Sequence, residues 1–351
     1  MKIALVNDSH FGARNDSTQV NEFFFKFWEN VFFPYLKEND IKTVVHLGDV
    51  VDRRKFINFK IADDFRTRWL NRFSEQNIDL HLLVGNHDTY YKNTNKVNAL
   101  ENLCDVGTVY AGPTEIVFDG LDVLLLPWIC ADNYTESLKL IKSTKAQIVF
   151  GHLEISGFEM DRGSVCHEGM DRKTFERFDM VLSGHFHHKS TDGTIYYLGN
   201  QYEMTWADYG DVRGFHVFDT DTRELTFVPN PYKLFHKLVY DDKSDMTLEK
   251  LQKIDFSEYG NCYVKVLVVS KTNPYLFDKF IDGISKSMPL DINIVEGGID
   301  LTEMTDEEIQ EAEDTISLLN KHIDGMTLDA NNEKLKSILH EIYVEALNTE
   351  E

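Results

Sequence analysis

The sequence predicts an α/β protein: a two-layer β-sandwich with flanking helices, then a small α/β module, then C-terminal helices. Three observations lead there. Apolar runs of strand length alternate with helix-like stretches from residue 1 to about residue 235, the pattern of layered α/β domains. Five of those runs end in a short turn that carries Asp, Asn or His. After the turn signal Pro229-Asn230-Pro231, the alternation resumes on a smaller scale and closes near Gly297-Gly298. The implied divisions are 1–235, 236–299 and 300–351.

Ile3 to Val6 reads as the first strand and runs into Asp8-Ser9-His10. Asn21 to Lys37 reads as an aromatic helix ending near Pro34; Phe23, Phe27 and Val31 share a face that Phe24, Phe25 and Phe32 widen. Such a helix is buried between a sheet and its neighbours. Val44 to Leu47 is a buried strand that delivers Gly48-Asp49 to a sheet edge. Ile61 to Phe73 reads as a helix, and Leu80 to Val84 as a strand feeding Gly85-Asn86-His87-Asp88. Tyr90 to Asn95 is a polar loop with two aromatics.

Asp119-Gly120, between Glu115 to Phe118 and Leu121 to Leu126, signals a hairpin. Thr220 to Arg223 does the same between Gly214 to Asp219 and Glu224 to Val228. Ile148 to Phe150, Met180 to Leu182 and Thr194 to Leu198 supply further strands, and the strands after Leu121 are expected to form the second sheet. Past a closing strand at Phe235 to Val239, Tyr263 to Val269, Tyr275 to Lys286 and Asp291 to Val295 read as strand, helix and strand. In the tail, Thr305-Asp306-Glu307-Glu308 is a capping box. It opens a helix that Gly325 stops, and a second helix carries Leu335, Ile338, Leu339, Ile342 and Tyr343 on one stripe.

Composition narrows the function. A chain of 351 residues, 42% of them hydrophobic, has material for a full core and about two domains. No apolar run approaches the roughly 18 residues that a membrane span needs. Met1 to Val6 is too short for a signal peptide and is read as part of the fold, so a cytoplasmic protein with no membrane association is expected. The four cysteines form no CxxC pair, which disfavours structural zinc and a disulfide framework. A net charge of −23 disfavours nonspecific coating of a polyphosphate. It leaves room for an enzyme whose divalent ions and local basic patch offset the repulsion. Much of the acidity sits in the tail, with 15 acidic residues against three lysines from Asp300 onward.

The five strand-end turns carry the chemistry. They bring Asp8, His10, Asp49, Asn86, His87, His152, His185 and His187 toward one edge, where open α/β sheets place their ligands. Singly, a His after a strand is more often a structural hydrogen-bonding residue. Together, in order, they point to a pair of divalent ions roughly 3.5–4 Å apart. Two cations so close need an anion between them, and Asp49 is the natural bridge. Such ions lower the pKa of a shared water and neutralise charge on phosphoryl oxygens. Imidazole mixed with carboxylate suits Mn²⁺, Fe²⁺ or Zn²⁺ better than Ca²⁺. His87 is placed to stabilise the transition state or protonate a leaving oxygen, with Asp88 orienting its ring.

Asp8-Ser9-His10, Gly48-Asp49 with Asp52, Gly85-Asn86-His87-Asp88, Gly151-His152 and Gly184-His185-Phe186-His187 resemble the five signatures of the calcineurin-like metallophosphoesterases. The resemblance implies that Asp8, His10, Asp49 and His187 hold one ion. It implies Asp49, Asn86, His152 and His185 for the other, with His87 catalytic. Within the superfamily, Asn7 to Gly12, the Asn-His-Asp ending and the Gly-His-Phe-His stretch resemble the SbcD-type nucleases of double-strand-break repair, those of T-even-like phages included. Leu126-Pro127-Trp128, Arg213-Gly214-Phe215 and Tyr343 to Ala346 extend the likeness over most of the chain.

That resemblance implies a manganese-dependent DNA exonuclease and endonuclease acting on double-stranded ends and single strands, with Mg²⁺ as the other candidate ion. It also implies a capping domain, a homodimer, and an SbcC-type ATPase as partner. Two rival readings are a phosphatase or phosphodiesterase for small or protein phosphoesters, and an inactive DNA-end scaffold. Arg54 stands where protein Ser/Thr phosphatases carry Gly, and Asp88 where they carry Glu, which disfavours the first. The intact donor set disfavours the second. Arg53, Arg54, Lys55 and Lys60 concentrate positive charge beside the Asp49 turn and are the candidate DNA contacts. The 335–343 stripe is the candidate surface for the partner. Histidines without a motif context, His46 and His216 among them, are expected to be structural or exposed, with His188 the first exception.

Overall fold

The computed structural model describes residues 1–161, 164–244 and 246–296. Its first strand, Lys2–Val6, alternates between two apolar layers. Ile3 and Leu5 enter the core shared with a second sheet, while Ala4 and Val6 enter the core shared with the aromatic helices. The strand lies inside a six-stranded sheet ordered Leu225–Pro229, Gly214–Asp219, Lys2–Val6, Thr43–His46, Asp79–Leu83, Thr108–Tyr110. The last four strands are parallel and the first two add on antiparallel.

A second six-stranded sheet is ordered Ser190–Thr191, Ile195–Tyr197, Met180–Gly184, Ile148–His152, Leu121–Leu126, Thr114–Phe118. Val45 and Leu83 of the first sheet share a buried cluster with Leu125, Phe150 and Leu182 of the second. The expected sandwich is therefore present. Trp28 and Trp69, both fully buried, join Phe24, Phe27 and Phe65 over the outer face of the first sheet. At roughly 1.5–3 kcal/mol per large apolar side chain, this layer contributes much of the burial energy. Ile141, Phe175 and Phe178 cover the second sheet in the same way.

Two expectations need correction. The aromatic helix does not end at Pro34. It runs Thr18–Phe27, widens into a π turn over Trp28–Phe32, and continues as Phe33–Glu38 with Pro34 in its first turn. The wide turn just before it, where Phe33 N–H reaches back to Trp28 O, is where the helix accommodates the missing proline N–H. The Gly214–Asp219 and Leu225–Pro229 hairpin does not join the second sheet. It pairs with Lys2–Val6 and covers what would otherwise be an open edge of the first.

The chain divides into two compact units. One comprises Met1–His236, Asp255–Val264 and Asp282–Ile292; the other comprises Lys237–Ile254, Lys265–Ile281 and the described residues from Asn293. A three-stranded sheet is ordered Phe235–Asp241, Tyr263–Ser270, Asp291–Glu296, and a helix spans Pro274–Lys286. Inside the second unit the Tyr240 ring contacts Phe277 and Phe280 at 5.0 and 5.3 Å. The stripe of Leu335, Ile338, Leu339, Ile342 and Tyr343 lies outside the described residues. Among the described residues no helix is long and apolar enough to cross a membrane.

Candidate metal centre

The strand ends meet because glycine lets their backbones approach. A Cβ on Gly85 would stand 2.2 Å from the Asp49 backbone nitrogen, and one on Gly48 would stand 2.5 Å from His152 Nδ1. Gly48 also has φ +105°, a region side chains disfavour. Four of the candidate ligands themselves adopt left-handed backbone: Asp8 at φ 49°, His10 at 44°, Asp49 at 55° and His185 at 88°. Such a conformation costs on the order of 1–3 kcal/mol per residue and persists only when surroundings impose it. Here Asp8 N–H donates to Gly48 O at 2.9 Å and His10 N–H to Asp49 O at 3.2 Å, tying the first two turns together.

The result is three groups of donors, one of which is His10, Asp52 and His87. Asp8, His10 and His187 each bring one atom within 4.8 Å of the others, and Asp49, His152 and His185 do likewise. His10 Nε2 lies 4.0 Å from Asp8 Oδ1 and 3.9 Å from Asp49 Oδ2, and His187 Nε2 lies 3.9 Å from Asp8 Oδ1. His152 Nε2 lies 3.4 Å from the same Asp49 Oδ2 and 2.9 Å from Asn86 Oδ1. One oxygen of Asp49 thus faces both the Asp8 group and the His152 group, and Asn86 Oδ1 stands against the second.

These residues fit a pair of divalent ions. His10 Nδ1 is buried without a well-aligned hydrogen bond, although Asp52 Oδ1 is 3.2 Å away. His10 Nε2 and His187 Nε2 lie 3.2 Å apart, within hydrogen-bond distance and close enough for one ion to take both nitrogens. The donors are buried carboxylates, imidazoles and one amide oxygen, the mixture borderline transition metals prefer.

Hydrogen bonds set the protons. Leu47 O accepts from His152 Nδ1 at 2.8 Å and Asp52 O accepts from His87 Nδ1 at 2.6 Å. A carbonyl can only accept, so in both rings Nδ1 carries hydrogen and Nε2 is the atom left for chemistry. Burial alone would lower His152, but the Asp49 carboxylate outweighs it and pushes the ring up to about 9. His10 also reaches about 9, where burial is overcome by Asp52 first and then Asp49. His185 is pushed down to about 3 by burial and by the neighbouring His152. Burial raises Asp49 too, yet the surrounding imidazoles win and hold it well below the usual carboxylate range.

Asp88 differs from its expected role. It does not orient the His87 ring, which Asp52 O holds. Its carboxylate instead accepts backbone N–H groups from Asp49 at 2.9 Å, Val50 at 2.9 Å, Val51 at 3.1 Å and Gly85 at 2.8 Å. The second Asp of the Gly-Asp-x-x-Asp stretch, three residues after Asp49, was the signal for Asp52, which sequence reasoning left without a role. His46 was expected to be structural, and it lies beneath the site. It accepts Gly48 N–H at Nδ1, 3.2 Å, and meets Ser9 Oγ through Nε2, 2.7 Å. Arg213 is buried and donates to His187 O, to Asn200 Oδ1 and, at 2.6 Å, to Asp208 Oδ1. His188 pairs with Asp211 at 2.7 Å.

The basic candidates separate into two kinds. Arg53 pairs with Asp16 at 3.0 Å and lies over Phe56, and Lys60 pairs with Asp64 at 2.7 Å. Among the described residues Arg54 reaches only Thr89 Oγ1, at 3.5 Å, and Lys55 is exposed. Neither Arg54 nor Lys55 is paired with a carboxylate among the described residues, unlike Arg53 and Lys60.

Sandwich, strand-end turns and donor groups together define a metal-dependent phosphoesterase. The chain belongs to the calcineurin-like phosphoesterase family, whose family model matches residues 1–189. It is 30% identical over 352 residues to exonuclease subunit 1 of Enterobacteria phage T4, an alignment covering 99% of each chain. It is 27% identical over 142 residues to the SbcD component of the SbcCD nuclease of Staphylococcus epidermidis, covering 37% of each. Among solved structures, an archaeal phosphodiesterase aligns with 66% of this chain and 100% of its own at 14% identity, with a TM-score of 0.32.

Proposed function

We propose that this chain is a DNA nuclease that hydrolyses phosphodiester bonds at DNA ends, as exonuclease and endonuclease, with two manganese ions. It works inside the cell as the nuclease subunit of a repair or recombination complex, as a homodimer with an SbcC-type ATPase. The observation that carries the chemistry is the single Asp49 oxygen facing both the Asp8 group and the His152 group. Likeness along nearly the whole chain to an exonuclease subunit supports DNA as substrate. In this reading residues 236–299 cap the catalytic domain and the acidic 300–351 segment docks the ATPase.

Asp8, His10, Asp49 and His187 would hold one ion, and Asp49, Asn86, His152 and His185 the other. When bound, the ions would absorb charge on the phosphoryl oxygens and lower the pKa of the attacking water. The chain's own residues do the rest. His87 keeps its Nδ1 proton on Asp52 O, so Nε2 is the atom that can deliver a proton to the leaving oxygen. Asp49 Oδ1 accepts the His87 backbone N–H at 2.7 Å, which fixes the spacing between bridge and acid. Arg54 and Lys55 draw the phosphate backbone toward the turn.

The test supplies labelled linear duplex and single-stranded DNA with Mn²⁺ or Mg²⁺, beside a His87→Ala control. Cleavage that the control loses supports the proposal. Hydrolysis of para-nitrophenyl phosphate with no cleavage of DNA, with or without the ATPase, overturns it.

A further inference from the structure

A cleft of about 380 Å³ opens beside the Asp49, His152 and His185 group, a size within the roughly 300–1,000 Å³ range of small-ligand sites. Trp128, Tyr134, His152, Glu154, Met170 and Asp171 line it. His152 belongs to both cleft and donor group, and the Trp128 ring lies 5.1 Å from the His185 ring. Whatever is joined to a phosphate at the donors therefore has this cleft as its neighbour.

The lining says what that neighbour is. Trp128 is half-buried and Tyr134 is 50% exposed, so both offer ring surface to a ligand. Aromatic faces beside a phosphodiesterase centre suit a flat heterocycle. Besides His152, which faces the donor group, the charged side chains are Glu154 and Asp171, both acidic. Carboxylates repel a backbone phosphate, and they accept hydrogen bonds from the ring and exocyclic N–H groups of adenine, guanine or cytosine.

We infer that this cleft is a nucleobase subsite, which stacks one unpaired base, adjacent to the scissile phosphate, against Trp128 and Tyr134. The inference rests on the nuclease reading and deepens it. A base inside a duplex is not available for stacking, so it must be unpaired before it enters. Frayed and single-stranded ends are consequently better substrates than fully paired blunt ends.

Trp128 can be changed without dismantling its segment. Its backbone N–H donates to Val84 O at 2.8 Å, and its carbonyl accepts from Asn95 at 2.8 Å and Asn133 at 2.9 Å. None of these bonds uses the indole. Tyr134, on the surface, is the second variant.

The experiment titrates full-length protein into short single-stranded DNA ending in 2-aminopurine, at low salt in EDTA, and reads the fluorescence of the base. Stacking quenches it. Trp128→Ala is expected to weaken binding about 10-fold and relieve the quench, with Trp128→Phe keeping most of both and Tyr134→Ala losing about 3-fold. An oligonucleotide with an abasic end should bind wild type as weakly as the normal end binds Trp128→Ala. Equal binding and equal quenching by wild type and Trp128→Ala, or no preference for a base over the abasic end, would overturn the subsite. Because the titration needs no cleavage, the nuclease reading fails separately, through absent DNA hydrolysis with Mn²⁺.

Discussion

The buried carboxylate of Asp88 accepts the backbone N–H of Asp49 at 2.9 Å. Three further backbone N–H groups converge on the same side chain, so one residue holds the turn that aims the bridging carboxylate. Asp88→Asn puts an NH₂ group where two of those donors now find an acceptor. With a buried donor left unsatisfied costing about 1–3 kcal/mol, the variant should lose about 2–4 kcal/mol in urea denaturation. It should also bind manganese more weakly in calorimetry, although Asp88 is in none of the donor groups.

His87 and His152 are rings of opposite consequence. Each has Nδ1 pinned by a carbonyl, but only His152 presents Nε2 to the Asp49 bridge. His87→Ala should cut kcat by about 10²–10⁴-fold with manganese stoichiometry intact. His152→Ala should lose stoichiometry and rate together. Metal analysis after gel filtration, beside single-turnover kinetics, separates the two.

Arg54 and Lys55 should act on affinity. Neither is held by a carboxylate in the way that Arg53 and Lys60 are. Substituting either with Ala should weaken DNA binding at all sequences alike and reduce the slope of log affinity against log salt by about 1. Lys60→Ala should leave that slope unchanged. Fluorescence anisotropy across a salt series reads all three.

His216 gives the fold an acid limit independent of the centre. Burial, helped by Lys189, pushes its ring down from 6.5 to about 3, and its Nδ1 has no hydrogen-bond partner among the described residues. Below pH 6.5 the unfolded chain takes up a proton that the folded chain refuses. The stability this group provides is therefore full above 6.5 and falls by about 1.4 kcal/mol per pH unit as pH drops toward 3. Between pH 6.5 and 5 that amounts to about 2 kcal/mol. His216→Asn should show a correspondingly flatter decline in denaturation measured at pH 7, 6 and 5.

The donor set was readable because each member follows an apolar run, and parallel strands deliver their ends to one edge. What stayed hidden depends on contacts that no local pattern encodes. Asp52 acts on His87 through its backbone carbonyl, an atom every residue has. Asp88 bonds to four backbone nitrogens, so its identity as a carboxylate suggested an ion-pair partner and misdirected the assignment. Arg213 reaches His187 O from 26 positions away and looks like a lone charge in the sequence. The hairpin ending at Pro229 had the right strands in the wrong sheet, because the edge it covers is decided by long-range register. Pro34 marked a helix irregularity correctly, but a π turn absorbed it.

Diffraction from crystals soaked in manganese, collected at the manganese edge, tests the central claim most directly. Two anomalous peaks are predicted, one on each side of Asp49 Oδ2, the first touching Asp8, His10 and His187 and the second touching Asn86, His152 and His185. A single peak, or two peaks that do not share Asp49, would contradict the account.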